Sequence, residues 1–161
     1  MPQIEASEAR VWRVLGAVPD PEIPIVSIVD LGIVRYVHWQ EGRPRVGLTP
    51  TYVGCPATDA IRTAVRQALT GAGYADAVIE EVLSPPWTSD WLTPAAHAKL
   101  AAFGIAPPDP VEREAEASCT IRCPRCGSDQ TRLVSEFGST PCKAHYRCES
   151  CLEPFDRFKC I

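Results

Sequence analysis

The sequence has no apolar run long enough to cross a membrane and no excess of positive charge. About 20 consecutive apolar residues are needed to span a bilayer, and no stretch of this chain approaches that length. The start of the chain, MPQIEASEAR, lacks the basic and apolar regions of a signal peptide. The formal charge is −4 at pH 7. We therefore expect a cytoplasmic protein that has no membrane attachment and no general attraction to nucleic acid.

The motifs of several common enzyme classes are also missing. HExxH, GxSxG and the P-loop do not occur. Gly71-Ala-Gly73 is followed by Asp76, where a dinucleotide-binding loop would have a third glycine. None of the three histidines has a glutamate three positions before it, so the Glu-x-x-His pairs of a di-iron carboxylate site are absent. These absences argue against a catalytic subunit.

Cysteine is plentiful but unevenly distributed. Of the eight cysteines, Cys55 stands alone and seven lie within residues 119–161. In a cytosolic protein such crowding indicates a metal site before it indicates disulfides. Residues 119–161 carry seven Lys/Arg and five Asp/Glu, whereas the rest of the chain carries nine and fifteen. We therefore predict two domains, 1–104 and 119–161, joined by a Pro-rich and then acidic linker at 105–118.

The first predicted domain has the pattern of a small α/β domain in an α+β, two-layer arrangement. Apolar residues at helical spacing predict helices, and alternation of β-branched and aromatic residues predicts strands. Helices packing on a sheet of three or more strands would bury one core. The predicted elements are a helix at 5–18, a hairpin of strands at 32–40 and 44–48, a helix at 56–70, a strand at 76–83 and a short helix capped by Thr93.

Cys55 lies at the start of the most regular predicted helix. Pro56 suits the first helical position, because its missing N–H would have no partner there. Thr58 and Asp59 add a hydroxyl and a carboxylate in the first turn. The positive end of a helix favours the thiolate, which is the form that binds metal or attacks an electrophile. An inert, half-buried thiol at a turn is an equally good interpretation, and the sequence leaves both open.

Three carboxylates lie in the loop at 20–32, close in sequence to one another. Prolines at 19, 21 and 24 exclude a helix there. Asp20, Glu22 and Asp30 fit turn residues and a helix cap. A second interpretation is that one or two of them line a site together with Cys55.

Two Cys-x-x-Cys pairs in the tail predict a metal centre. Cys123 and Cys126 form the first knuckle, and Cys148 and Cys151 form the second. Two such knuckles close a tetrahedron around Zn²⁺, and the residues between them supply the strands of a zinc ribbon. A closed site of four cysteines leaves no position for water or substrate, which favours a structural ion. The same thiolates would suit a mononuclear iron ion, so ligand type leaves the metal open.

Three tail cysteines exceed the needs of one tetrahedral ion. The spacing of Cys119 to Cys123 and Cys126 invites an iron–sulfur interpretation, but the latter two are already assigned to the ribbon. We interpret Cys119, Cys142 and Cys160 as packing or spare thiols.

Several stretches resemble known families. DPEIPIVSIVDLGIV and LTPTYVGCPATDAI resemble the domain of iron–sulfur assembly factors of the SufT type. A second resemblance, to the PaaD family, is more specific. It rests on the stretches PPWTSDWLTPAAHAKLAAFGIAPP, CPRCGS, VSEFGSTPCKAHYRC and CLEPFDRFKC. That family works in phenylacetate catabolism beside a multicomponent oxygenase that epoxidises phenylacetyl-CoA, and it is not regarded as the catalytic subunit.

The resemblance implies that the protein is an accessory or maturation factor. Cys55 matches the family's GCPA cysteine, and Asp20 and Glu22 match its acidic DPE phrase. With Thr58, these are the residues we expect to contribute to transient binding of iron or an iron–sulfur cluster. Clusters usually need four protein ligands, so we expect a client or a homodimer to complete the set. The expected clients are the oxygenase's di-iron subunit or its iron–sulfur reductase.

Two other roles remain open from the sequence. In one, the protein is a non-catalytic structural or docking subunit of the oxygenase, with Cys55 merely packed. In the other, Cys55 is an enzyme nucleophile, which would require a nearby base that the sequence does not reveal.

Overall fold

The computed structural model describes residues 2–108 and 121–161. Two compact units divide the chain, Met1–Trp87 and Thr88–Ile161. Within the described residues, the first unit has two α-helices and three strands, and the second has one α-helix, a short 3-10 turn and four strands. Among the described helices, none combines the length and apolar character that a membrane span requires.

The first unit is built on a three-stranded sheet of order β1-β2-β3. Strands β1 (Val34–Gln40) and β2 (Arg43–Leu48) form the predicted antiparallel hairpin. Strand β3 (Val78–Glu81) pairs in parallel with β2, and the helix α2 (Ala57–Gly71) connects them. The helix α1 (Pro2–Gly16) packs on β1 and on α2.

The hairpin turns through two residues that both have positive φ. Glu41 has φ 52° and Gly42 has φ 80°, and their neighbours Gln40 and Arg43 are paired. Positive φ at both central positions is the signature of a type I′ turn, whose twist matches that of the flanking strands. The predicted hairpin is therefore confirmed.

Helix α2 buries the face that its periodicity predicts. Ala57, Ile61, Val65 and Leu69 follow one another at four-residue spacing, and all are buried. Burying an Ile, Val or Leu side chain is worth about 1.5–3 kcal/mol each, so this row is a main source of stability for the first unit. Gly73, at φ 93°, turns the chain away toward β3.

A cross-strand network on the sheet depends on a glycine. Tyr36 and Glu80 both pair with Gly47, from opposite sides of β2. The Tyr36 ring lies over Gly47, and its hydroxyl donates to Glu80 Oε2 at 2.8 Å. Arg45 donates to the same carboxylate through Nε and Nη2. The Arg45 hydrogen bonds, and then that of Tyr36, lower the pKa of Glu80.

The second unit is a four-stranded sheet with a helix. Strand order is β4-β7-β6-β5, with ranges Ile105–Ala106 (β4), Thr131–Ser135 (β5), Lys143–Cys148 (β6) and Pro154–Phe158 (β7). Strands β5, β6 and β7 form an antiparallel meander, as expected of a ribbon. The helix α3 (Pro94–Phe103) is capped by Thr93, whose hydroxyl accepts from the Ala96 N–H, and it ends at Gly104 with φ 92°.

The division between the units differs from the predicted boundary after residue 104. Helix α3 and strand β4 belong to the second unit, because β4 adds in parallel to β7 of the ribbon sheet. The first residues of the predicted linker 105–118 are therefore a strand, while residues 109–120 lie outside the described residues. The predicted fold class, a small α+β domain with a three-stranded sheet plus a zinc ribbon, is confirmed.

We predict that Gly47→Ala destabilises the first unit by about 1–3 kcal/mol, the usual cost of overpacking. A Cβ at this position would lie 2.5 Å from Tyr36 Cε1, so the ring must move away from Glu80. Gly16→Ala is the matched control, because nothing lies within 4 Å of a Cβ there. Urea unfolding followed by far-UV circular dichroism measures both variants. Equal midpoints for the two would contradict the prediction.

The lowered pKa of Glu80 also predicts a pH dependence. A carboxyl whose pKa is lower in the folded state adds stability above its unfolded pKa, and this is lost as pH falls through the folded pKa. Acidification from the ordinary glutamate value of 4.5 downward should therefore lower the protection factors of the strand amides of the first unit, measured as hydrogen-exchange rates relative to the intrinsic rates at the same pH. Glu80→Gln should flatten this dependence. An unchanged acid dependence in that variant would refute the assignment.

Candidate functional site

The four predicted knuckle cysteines lie together in the second unit. Cys123 Sγ and Cys151 Sγ are 3.8 Å apart, and Cys126 Sγ and Cys148 Sγ are 3.5 Å apart. All four sulfurs lie within 4.8 Å of one another. Sulfurs held about 2.3 Å from a tetrahedral Zn²⁺ are about 3.8 Å apart. The donor set and its spacing therefore fit one zinc ion.

Both knuckles have the same local backbone design. In the first, the Gly127 N–H donates to Cys123 O at 2.9 Å, and Gly127 has φ 73°. In the second, Leu152 takes the equivalent position after the second cysteine and also has positive φ, at 64°. A left-handed conformation suits glycine but costs other residues about 1–2 kcal/mol. The second knuckle therefore retains strain that metal binding has to offset.

The electrostatics of the cluster favour a bound cation. The Cys151 N–H donates to Cys148 Sγ at 3.4 Å, and this donor, ahead of the opposing effect of burial, lowers the pKa of Cys148 to about 6. The Glu153 N–H acts to lower the pKa of Cys151, but burial and the neighbouring thiols outweigh it and raise that pKa to about 12. Four adjacent sulfurs cannot all ionise alone, whereas a divalent ion can replace their protons.

A small apolar core supports the cluster. This core consists of Ala106 of β4, Phe155 of β7 and Ile121, which lies before the first knuckle. These three residues pack with Cys123 and Cys148. Tyr146 stacks on Phe155, with ring centroids 5.8 Å apart. Because these residues bury little apolar surface, the sheet depends on the thiolate site for much of its stability.

Cys55 lies in the first unit, in the loop that carries the chain from β2 into α2. Pro56 has helical torsion angles, φ −65° and ψ −21°, and is the N-cap of α2. The Thr58 N–H donates to Cys55 O at 3.1 Å, so the first helical turn begins at the cysteine. The residue is only 9% exposed. Among the described residues, its thiol has no hydrogen bond.

An open pocket of ≈ 470 Å³ contains Cys55 in its wall. Its polar lining consists of Thr58 and Asp59 in the first turn of α2, Arg62 one turn further on, and Glu81 at the end of β3. Arg62 Nη2 lies 3.5 Å from Glu81 Oε2. Two apolar residues of the lining are strongly exposed, Val53 at 91% and Leu83 at 59%. Cys55 therefore belongs to the wall of a polar, accessible pocket, although little of the residue itself is exposed.

Two carboxylates of the acidic loop, those of Asp20 and Asp30, accept hydrogen bonds from backbone groups of the same loop. Asp20 is buried, and its Oδ1 accepts from the backbone N–H groups of Glu22 at 2.9 Å and Ile23 at 2.7 Å. Asp30 and Ser27 exchange reciprocal bonds, each side chain accepting from the other's backbone N–H at 3.0 Å. Neither Asp20 nor Glu22 is among the residues that line the Cys55 pocket.

Two of the spare cysteines are described. Cys142 is buried, with Thr140 Oγ1 at 3.0 Å from its sulfur. Cys160 accepts from Arg157 Nη2 at 3.7 Å. Neither belongs to the four-sulfur cluster, and Cys119 lies outside the described residues.

Two pocket residues, Arg62 and Glu81, were not singled out from the sequence as site residues. Their proximity to Cys55 depends on parallel pairing of β2 with β3, which brings Glu81 beside Leu48. The strand–helix–strand order was the available signal, since a crossover helix usually joins parallel neighbours. Carboxyl ends of parallel strands and the N-terminus of the helix between them then lie at the same edge of the sheet.

Comparisons with known proteins match both units. Residues 8–80 match the model of the family described as iron-sulfur cluster assembly protein, and residues 107–159 match the PaaD zinc beta ribbon domain. The Fe-S protein maturation auxiliary factor YitW of Bacillus subtilis strain 168 is 35% identical over 99 residues, which cover 60% of this chain and 94% of YitW. A crystal structure of a DUF59 domain of Bacillus anthracis superposes with a TM-score of 0.56 at 32% identity, covering 61% of this chain and 94% of that one.

One relative matches both units together. A protein of Escherichia coli strain K12, provisionally named as one of the subunits of 1,2-phenylacetyl-CoA epoxidase, is 50% identical over 152 residues. The alignment covers 94% of this chain and 92% of that protein. It spans the assembly domain and the ribbon in the order found here, and this chain therefore belongs to the PaaD family.

Proposed function

We propose that the protein is an accessory factor that matures the di-iron or iron–sulfur centre of the multicomponent phenylacetyl-CoA epoxidase in aerobic phenylacetate catabolism. It is not itself catalytic in this proposal. The names of its relatives support the two halves of the proposal, since one is named as a subunit of that epoxidase and others as Fe-S protein maturation factors.

The observation that carries the proposal is the setting of Cys55. Cys55 is largely buried, yet it lines an open pocket that also has a hydroxyl, two carboxylates and a guanidinium in its wall. A thiol with only a packing role needs no such polar space. One thiol cannot hold a cluster by itself, so a client or a second copy has to supply the remaining ligands during transfer.

In this proposal the tail ion is structural. Cys123, Cys126, Cys148 and Cys151 hold Zn²⁺ in a closed site, which has no open position for substrate. The ion stabilises the ribbon, and the working thiol is Cys55 in the other unit. Asp20 and Glu22 contribute by fixing the loop at 20–32, which is supported by the hydrogen bonds that the Asp20 carboxylate accepts. Thr58 contributes from the pocket wall itself.

A docking subunit of the oxygenase is the second candidate, and one observation favours it. Strand β5 lies at the edge of the ribbon sheet and exposes Leu133 at 45% and Val134 at 50%, with Phe137 at 63% just beyond it. An apolar sheet edge is a common place for a partner to add a strand. A stable stoichiometric complex with the epoxidase, unaffected by loss of Cys55, would favour this role over maturation.

We predict that Cys148→Ser abolishes stoichiometric zinc binding and unfolds the ribbon, whereas Cys160→Ser retains about one zinc per chain. Binding of structural zinc is worth about 10–16 kcal/mol, far more than this small core supplies. Plasma mass spectrometry of purified protein measures the metal, and chelator-induced loss of the β-sheet signal measures the unfolding. Full zinc content in Cys148→Ser would disprove the assignment.

We predict that Cys55→Ser abolishes thiol-dependent iron uptake by the zinc-loaded protein under anaerobic conditions. The same variant, co-expressed with the epoxidase subunits, should lower epoxidase activity and the iron content of the purified enzyme. Cys160→Ser is the matched control, because it removes a thiol outside the pocket. If Cys55→Ser takes up iron like the wild type and supports full epoxidase activity, the maturation role is wrong.

A further inference from the structure

Two serines near the surface join the two knuckles of the ribbon. Ser128 follows Cys126 by two residues, and Ser150 follows Cys148 by two residues. The hydroxyl oxygens of the two serines lie 2.7 Å apart, which is an ordinary distance for a hydrogen bond between hydroxyls. This serine pair therefore links the knuckles directly, in addition to the sulfurs that both knuckles contribute to the metal site.

Each serine also contacts the sulfur of the cysteine two residues before it. The Ser128 backbone N–H is hydrogen-bonded to the Cys126 sulfur, and the Ser150 N–H is hydrogen-bonded to the Cys148 sulfur. These two sulfurs are themselves 3.5 Å apart. The serine pair and the sulfur pair thus form a closed ring of contacts. For this reason one knuckle cannot move away from the other unless the bond between the hydroxyls breaks.

The backbone between the knuckles fixes the Ser128 hydroxyl. The Gln130 N–H donates to Ser128 Oγ at 3.0 Å, and the Glu149 N–H donates to Gln130 O at 2.7 Å. A hydroxyl has one donor and two acceptor sites, so Ser128 can accept from Gln130 and still bond to Ser150. The serine pair is therefore part of an ordered connection between the two knuckles.

The four cysteines of the metal site differ in exposure. Cys126 is exposed and Cys151 is partly exposed, whereas Cys123 and Cys148 are buried. A chelator in solution therefore reaches the site at the Cys126 side. The ring of contacts includes this exposed sulfur. Groups that bond to a metal ligand hold it in the orientation that the ion needs, and their loss weakens metal binding.

We propose that the serine pair slows the loss of the structural zinc ion from the exposed side of its site. Ser128 and Ser150 are positioning residues in this role, because they act on the ion through Cys126 and Cys148 and are not ligands themselves. The inference rests on the assignment of zinc to the tail in the proposed function, and it adds a determinant of how fast that ion is released.

The test is the rate of zinc transfer from the full-length, zinc-loaded protein to an excess of a chromogenic chelator. Ser128→Ala and Ser150→Ala should each raise this rate about 2- to 10-fold, which corresponds to the loss of one hydrogen bond. Ser139→Ala is the matched control and should keep the wild-type rate. Ser139 also donates an exposed hydrogen bond in the same unit, but its acceptor is Asp156 and not a knuckle residue.

A double variant distinguishes a shared bond from two independent effects. Either alanine substitution alone removes the bond between the hydroxyls, so the combined variant should release zinc about as fast as the faster single variant. Ser128→Thr keeps a hydroxyl and should restore slow release. Fully multiplicative rates in the double variant, or alanine variants that match the wild type, would overturn the proposal.

Cobalt substitution tests whether the serines act without changing the ligands. Ser128→Ala and Ser150→Ala should keep the visible spectrum of the wild-type Co²⁺ protein, because the same four sulfurs bind the ion. A changed spectrum would show that a ligand had been lost and would overturn the positioning role. Wild-type protein that binds no zinc would overturn the tail assignment together with this inference. Bound zinc with equal release rates in all serine variants would overturn this inference alone.

Discussion

Close approach of four ionisable sulfurs is the constraint on which the second unit depends. The four sulfurs lie within 4.8 Å of one another, so they would repel one another as thiolates. Without a metal ion, some of them must stay protonated, and the pKa values of neighbouring cysteines are driven far apart. One divalent ion removes this conflict. It also fixes the two knuckles and thereby the ends of strands β5, β6 and β7. A sheet with so small a core could not otherwise tolerate the strained backbone at Leu152.

The first unit is stabilised in a different way, and its site has a different character. Parallel pairing of β2 with β3 requires the long crossover through α2, and the crossover is held by the buried row from Ala57 to Leu69. This packing fixes the backbone at Cys55 and Glu81 without any metal. The walls of the Cys55 pocket therefore depend for their position on the packing of α2 and on strand pairing.

Local patterns in the sequence were sufficient for much of this fold. Helix α2, the hairpin and the Thr93 cap each depend on residues within a few positions of one another, and all were found near their predicted places. The tail cluster was predictable because Cys-x-x-Cys spacing encodes the knuckle directly. The boundary between the units was not predictable in this way, because the two residues of β4 are too few to show a strand pattern. They form a strand only by pairing with β7. Glu81 was missed for the same reason, since its place in the site follows from a non-local strand pairing.

The two settings of cysteine in this chain differ in the number of thiols and in closure. A closed set of four soft ligands binds zinc with a free energy of about 10–16 kcal/mol, so exchange with a client is negligible. The Cys55 pocket offers one thiol instead of four, and two strongly exposed residues, Val53 and Leu83, belong to its wall. The number of thiols and the closure of the site thus distinguish the ribbon, whose four sulfurs can enclose an ion, from the open pocket that Cys55 lines.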